Sequence, residues 1–263
     1  MNSYVLGALA LFVAATGAFW WFAQPPGMTT PLATSTSTEQ LTTREVGYFE
    51  GANGYFARPQ VAGNYPGVVM IHENRGLRPE IRTAAEELAQ EGYMVLAVDL
   101  YGGQVLETQD DARAFSASGQ FKQEEGTANM RAAVQYLRDQ GATKVASWGW
   151  CFGGRQSVNL AISGEPLDAT VVYYGGGMAT TTAQLRPISW PVMGVFGDQD
   201  QGIPLSMVET FRSSLDTLGV ENEIHVYPGV GHAFANPSNP NHAPAETADA
   251  WARTLAFLDR HLK

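Results

Sequence analysis

The chain of 263 residues contains one cysteine, Cys151. A single thiol excludes an intrachain disulfide and every zinc site built from a cysteine cluster. Histidine is scarce too, with five residues at positions 72, 225, 232, 242 and 261. None forms an HExxH pattern or a close pair, so nothing in the spacing points to a metal. Positive charge is in deficit, with 16 Lys+Arg against 26 Asp+Glu and a formal net charge of −10. That balance excludes a nucleic-acid backbone as partner, because binding there is driven by basic patches. Internal repeats are absent, which excludes solenoid and propeller folds.

What is present falls into two unlike parts. Tyr4 to Ala23 reads YVLGALALFVAATGAFWWFA and carries no charge. It is long enough to cross a bilayer as a helix, with Phe19, Trp20, Trp21 and Phe22 where an aromatic belt lies. No basic residue precedes it, and no small-x-small pair closes it. Residues 1–24 therefore read as a membrane anchor, with a cleaved signal segment as the alternative. Residues 25–43, rich in Pro, Ser and Thr, read as a linker. This arrangement puts the remaining domain, 44–263, outside the cytoplasm, tethered or exported.

Within 44–263, short apolar runs alternate with amphipathic stretches. PGVVMIH (66–72), YMVLAVDLYG (93–102), KVASWGW (144–150), DATVVYYG (168–175), WPVMGVFG (190–197) and ENEIHVYPG (221–229) read as strands. PEIRTAAEELAQEG (79–92), EEGTANMRAAVQYLRDQG (124–141), FGGRQSVNLAIS (152–163), PLSMVETFRSSLDTLG (204–219) and AETADAWARTLAFLDRHL (245–262) read as helices. Such alternation implies an α/β fold with a mostly parallel central sheet and helices on both faces. Residues 44–59 read as an antiparallel hairpin at its edge. The segment 101–125 shows no readable pattern.

In such folds, chemistry sits beyond the C-terminal ends of the strands. One strand runs into GWCFGG, placing Cys151 at a strand–turn–helix junction. This is the G-x-S-x-G elbow with Cys in place of Ser. Helix and strand approach closely there, which leaves no room for β-carbons at Gly149 and Gly153. The helix N-terminus favours a thiolate and aims free N–H groups at a developing oxyanion. A buried structural thiol is the alternative for the motif taken alone. A second strand ends in GDQDQGIP, where Asp200, or Asp198 before it, can orient a histidine. A third leads to YPGVGHAF and His232; His72, at the end of an early strand, is its rival. The order Cys–Asp–His is the nucleophile–acid–histidine order of α/β-hydrolases. The loop IHENRGL supplies the backbone N–H of Asn74, paired with that of Phe152, as an oxyanion hole. It also supplies Glu73, either a partner of the thiol or a salt-bridge partner of Arg75, Arg78 or Arg82.

Taken together, IHENRGL, GYMVLAVDLYGG, GWCFGGRQS, GDQDQGIP, YPGVGHAF and AWARTLAFLDRHL resemble the dienelactone hydrolase family of the α/β-hydrolase superfamily. The resemblance spans roughly 45–262. It implies the α/β-hydrolase fold, with Cys151 as nucleophile, Asp200 as acid, His232 as base and Glu73 as the acid paired with the resting cysteine. It also implies hydrolysis of a small-molecule carboxylic ester or lactone without a cofactor. One departure stands out. Asn236 occupies the position, four residues after the histidine, where the type enzyme grips its substrate carboxylate with arginine. Thioesterase and peptidase chemistry share this fold. A non-catalytic alternative is a membrane-tethered binding or redox-sensing domain.

Overall fold

The computed structural model describes residues 40–263. The anchor or signal segment (1–24) and most of the linker lie outside the described residues. Among the described residues, no helix is long and apolar enough to cross a membrane. The linker's last residues fold differently from the expectation. Strand β1 (Leu41–Phe49) begins three residues before 44 and pairs antiparallel with β2 (Ala52–Pro59). Thr42 and Thr43 read as linker by composition, yet their β-branched side chains suit the strand that pairs with Arg58 and Ala57.

The remaining strands are β3 (Gly67–Ile71), β4 (Met94–Val98), β5 (Val145–Trp150), β6 (Ala169–Tyr173), β7 (Val192–Gly197) and β8 (Asn222–Tyr227). They form an eight-stranded sheet in the order β1-β2-β4-β3-β5-β6-β7-β8. β1–β2 and β2–β4 pair antiparallel; every other pairing is parallel. Every residue of β3 through β7 is buried, as a sheet covered on both faces requires.

The covering helices are α1 (Pro79–Gln90), α2 (Gln109–Ser118), α3 (Gln123–Asp139), α4 (Phe152–Ile162), the single turn α5 (Thr182–Leu185), α6 (Leu205–Thr217) and α7 (Pro244–Leu262). α1 starts on Pro79, whose fixed φ and missing N–H suit a first helical turn. α2 occupies the segment with no readable period. It buries only Ala112 and Phe115, too few positions to write a helical stripe. Its local signal is a capping box, Thr108 with Asp111.

Winding direction reverses between β3 and β5. From β3 the chain proceeds to β4 on one side, and from β5 it proceeds outward to β8 on the other. The register sets Ile71 opposite Gly149. Glu73 and Cys151, each two residues further on, therefore leave the sheet side by side at the switch point, where ligands bind in open α/β sheets.

Candidate active site

Cys151 joins β5 to α4 at φ 54° and ψ −114°. This strained conformation is tolerable because its surroundings determine it. The Cys151 N–H donates to the Tyr173 carbonyl at 3.0 Å, and its carbonyl accepts from Arg155 N–H at 3.1 Å. A Cβ on Gly149 would collide with the Gly153 carbonyl, and one on Gly153 with the carbonyls of Ile71 and His72. The glycines are thus required by close approach of strand and helix. Among the described residues, the non-glycine positions with positive φ are Cys151, Tyr174 (36°) and Ala233 (60°). All three belong to this region.

His232 reaches Cys151 from the loop after β8. Its Nε2 lies 3.0 Å from Cys151 Sγ, and its Nδ1 lies 2.7 Å from Asp200 Oδ2. The Asp200 side chain is only 1% exposed. Its second oxygen accepts the Gly202 N–H at 2.9 Å, which fixes the carboxylate. Burial disfavours the charged imidazole. The hydrogen bonds with Asp200 and Cys151 outweigh burial and raise the His232 pKa to about 10.

The alternatives left open by the residue pattern separate cleanly. Asp198 accepts the Gly229 N–H at 2.7 Å and ties the β7 and β8 loops together, away from the imidazole. His72 is fully buried, with Nδ1 2.6 Å from the Glu73 carbonyl and Nε2 accepting the Leu100 N–H at 3.2 Å. Both ring nitrogens are engaged, and burial lowers its pKa. It holds the loop that presents Asn74.

The Glu73 carboxylate accepts from the Tyr174 hydroxyl at 3.3 Å and from Asn236 Nδ2 at 2.5 Å. The salt bridges that were the alternative for Glu73 are absent among the described residues. Arg75 bonds the carbonyls of Leu106 and Glu107, Arg78 pairs with Glu80, and Arg82 pairs with Glu45. The thiol's hydrogen-bond partner is His232, and Glu73 makes no hydrogen bond to it. Burial raises the Glu73 pKa, against the opposing hydrogen bond from Asn236 and the nearby His232.

The Phe152 N–H opens α4 and has no intrahelical acceptor. The Asn74 N–H makes no hydrogen bond among the described residues. Both Asn74 and Phe152 line a cavity of about 580 Å³ that also exposes Cys151, His232, Tyr101 and Arg155. Residue patterns had not marked Arg155. It is four residues after Cys151, hence on the same face of α4, with its guanidinium carbon 5.6 Å from the Phe152 ring centroid. It makes no ion pair among the described residues. Tyr174 was also missed, because it lies one residue past the end of β6 in a run read simply as strand.

The dienelactone hydrolase family matches residues 52–262. The chain belongs to that family. A Salmonella typhimurium protein provisionally named carboxymethylenebutenolidase is 30% identical over 221 residues, covering 79% of this chain and 82% of its own length. Protein usf of Aquifex pyrophilus is 31% identical over 218 residues, covering 80% and 93%. Among solved structures, m3DLH superposes with a TM-score of 0.77 at 26% identity, covering 85% of this chain and 99% of that one. The dienelactone hydrolase from Anabaena variabilis has the same fold, with a TM-score of 0.64 at 18% identity over 86% of this chain and 100% of that one. This family member is accordingly a hydrolase of the dienelactone hydrolase type, with the α/β-hydrolase fold.

Proposed function

We propose that this enzyme hydrolyses small carboxylic esters or lactones with Cys151 as nucleophile, His232 as acid–base and Asp200 as the residue that orients the imidazole. One observation carries the reading: a single imidazole bridges the thiol and a buried carboxylate. His232, oriented by Asp200, takes the Cys151 proton. The thiolate sulfur bonds to the substrate carbonyl carbon, and the oxygen takes up negative charge facing the N–H groups of Asn74 and Phe152. Collapse expels the alkoxide, which takes the proton from His232. The thioester carries no charge on sulfur, so the neutral imidazole now serves as base. It removes a proton from water as the water oxygen attacks. Collapse of the second tetrahedral intermediate breaks the C–S bond and releases the acid, and the proton on His232 returns to the sulfur.

The unpaired Arg155 guanidinium in the same cavity supports substrates that carry a carboxylate of their own. Asn236, at the position where the type enzyme has arginine, is occupied with Glu73. A cation on α4 offers the bidentate geometry a carboxylate needs.

The apolar run 4–23, outside the described residues, supports a membrane tether for the enzyme. Fractionation of cells expressing the full chain tests this; recovery in the soluble fraction alone would refute it.

The decisive experiment assays the full-length chain against lactones and aryl esters, with Cys151→Ser alongside, and traps the acyl-enzyme for mass spectrometry. An acyl adduct on Cys151 is expected. Hydrolysis that survives in a Cys151→Ala variant would remove the assignment.

A further inference from the structure

A second cavity shares no lining residue with the catalytic one. It has a volume of about 270 Å³ and contains neither Cys151 nor His232 in its wall. Glu73 and Tyr174 form its boundary on the catalytic side. α1 contributes Glu80, Ala84 and Glu87, which share one helix face at spacings of four and three. α7 contributes Thr247 and Trp251, and the ends of β5 and β6 contribute Trp150 and Tyr173.

The wall has an uncommon combination of chemistries. Large aromatic rings (Trp150, Tyr173, Tyr174 and Trp251) share it with three carboxylates, and no Lys, Arg or His lines it. The carboxylates are not equivalent. Glu80 pairs with Arg78 at 3.0 Å, outside the wall. Glu73 is held by Tyr174 and Asn236, both neutral. Glu87, exposed at the mouth, makes no ion pair among the described residues. An anion entering this cavity would meet repulsion. A neutral guest would leave two carboxylates without a counter-charge. A cation with apolar substituents satisfies both halves of the wall: its charge faces the carboxylates and its alkyl groups face the rings.

We infer that this cavity is a binding site for a small organic cation, of the quaternary ammonium or alkylated amine class, distinct from the catalytic pocket. Burial raises the pKa of Glu73, and a bound cation would relieve that cost. The site is coupled to the ester-cleaving centre by connectivity. Glu73 precedes Asn74, and its partner Asn236 lies four residues after His232. The proposal stands whether or not Cys151 is the nucleophile.

Calorimetric titration of the full-length protein with choline, and with its neutral isostere 3,3-dimethyl-1-butanol, tests it. Choline should bind saturably and about ten-fold tighter than the isostere. Carboxamidomethylation of Cys151 should leave choline binding unchanged. Trp251→Leu and Glu87→Gln should each weaken it several-fold. Glu87 is exposed on α1, so its variant folds even if the Trp251 variant does not. Equal affinity for the isostere, no saturable heat with choline, or loss of binding on alkylation of Cys151 would each overturn the proposal.

Discussion

Asn236 donates from Nδ2 to the Glu73 carboxylate across 163 residues of sequence, joining the loop after β3 to the loop after β8. A neutral amide thus serves the buried acid, at the position where the type enzyme grips its substrate carboxylate with arginine. The contact keeps Glu73 on Tyr174 and Asn236 while His232 takes the thiol. Asn236→Asp preserves shape but replaces the donor with a second carboxylate. The melting temperature of this variant is expected to fall at pH 8 by the equivalent of about 1–2 kcal/mol and to recover toward pH 5, where a shared proton restores the bond. An equal loss at both pH values would refute the electrostatic account.

Removing the thiol has a direct consequence. Cys151→Ala is expected to reduce ester hydrolysis about a thousandfold or more, leaving what binding and the oxyanion N–H groups supply. Iodoacetamide should label Cys151 with parallel loss of activity. Labelling without inactivation contradicts the nucleophile's role.

Asp200→Asn replaces the acceptor that holds His232 Nδ1–H. The imidazole then loses its tautomer and orientation, and kcat is expected to drop by about 10²–10⁴-fold with little change in KM. A matched Asp198→Asn variant should retain kcat, since Asp198 bonds Gly229 instead. Steady-state kinetics of the two variants separates the roles.

The protonation of His232 is measurable. The hydrogen bonds to Asp200 and Cys151 outweigh burial and raise the His232 pKa from 6.5 to about 10, which makes the imidazole a strong proton acceptor. Nitrogen NMR of labelled histidine should show it titrating near 10, and markedly lower in Cys151→Ala, where one acceptor is gone. The folded value exceeds the unfolded one, so this proton's stabilisation is complete below 6.5. It is lost as pH rises toward 10. An unchanged titration in the Ala variant would show that Cys151 has no part in holding this proton.

Arg155 gives a specificity test. Arg155→Ala is expected to raise KM about ten-fold or more for esters bearing a free carboxylate, with little effect on their uncharged methyl esters. Equal effects on both series would show that Arg155 only shapes the cavity.

Much of the fold was legible because its signals are local. The parallel strands are continuous apolar runs, and α1, α3, α6 and α7 carry apolar faces at helical spacing bounded by Pro or Gly. Gly149, Cys151 and Gly153 announced the elbow because only glycine tolerates that approach of helix to strand. α2 and the first residues of β1 were not legible. α2 buries two side chains, and Thr42 and Thr43 have a composition common to linkers.

The sequence alone determined the fold class, the elbow around Cys151 and the Cys–Asp–His order, since each depends on residues near one another or on order along the chain. Only the tertiary structure showed that Asp200, and not Asp198, meets the imidazole, and that His232, and not His72, meets the thiol. It also decided which partners Glu73 keeps and where Arg155 lies. Those are questions of distance between loops carried by different strands. A hydrogen bond of about 3 Å follows from the register and twist of the whole sheet, which no single segment encodes.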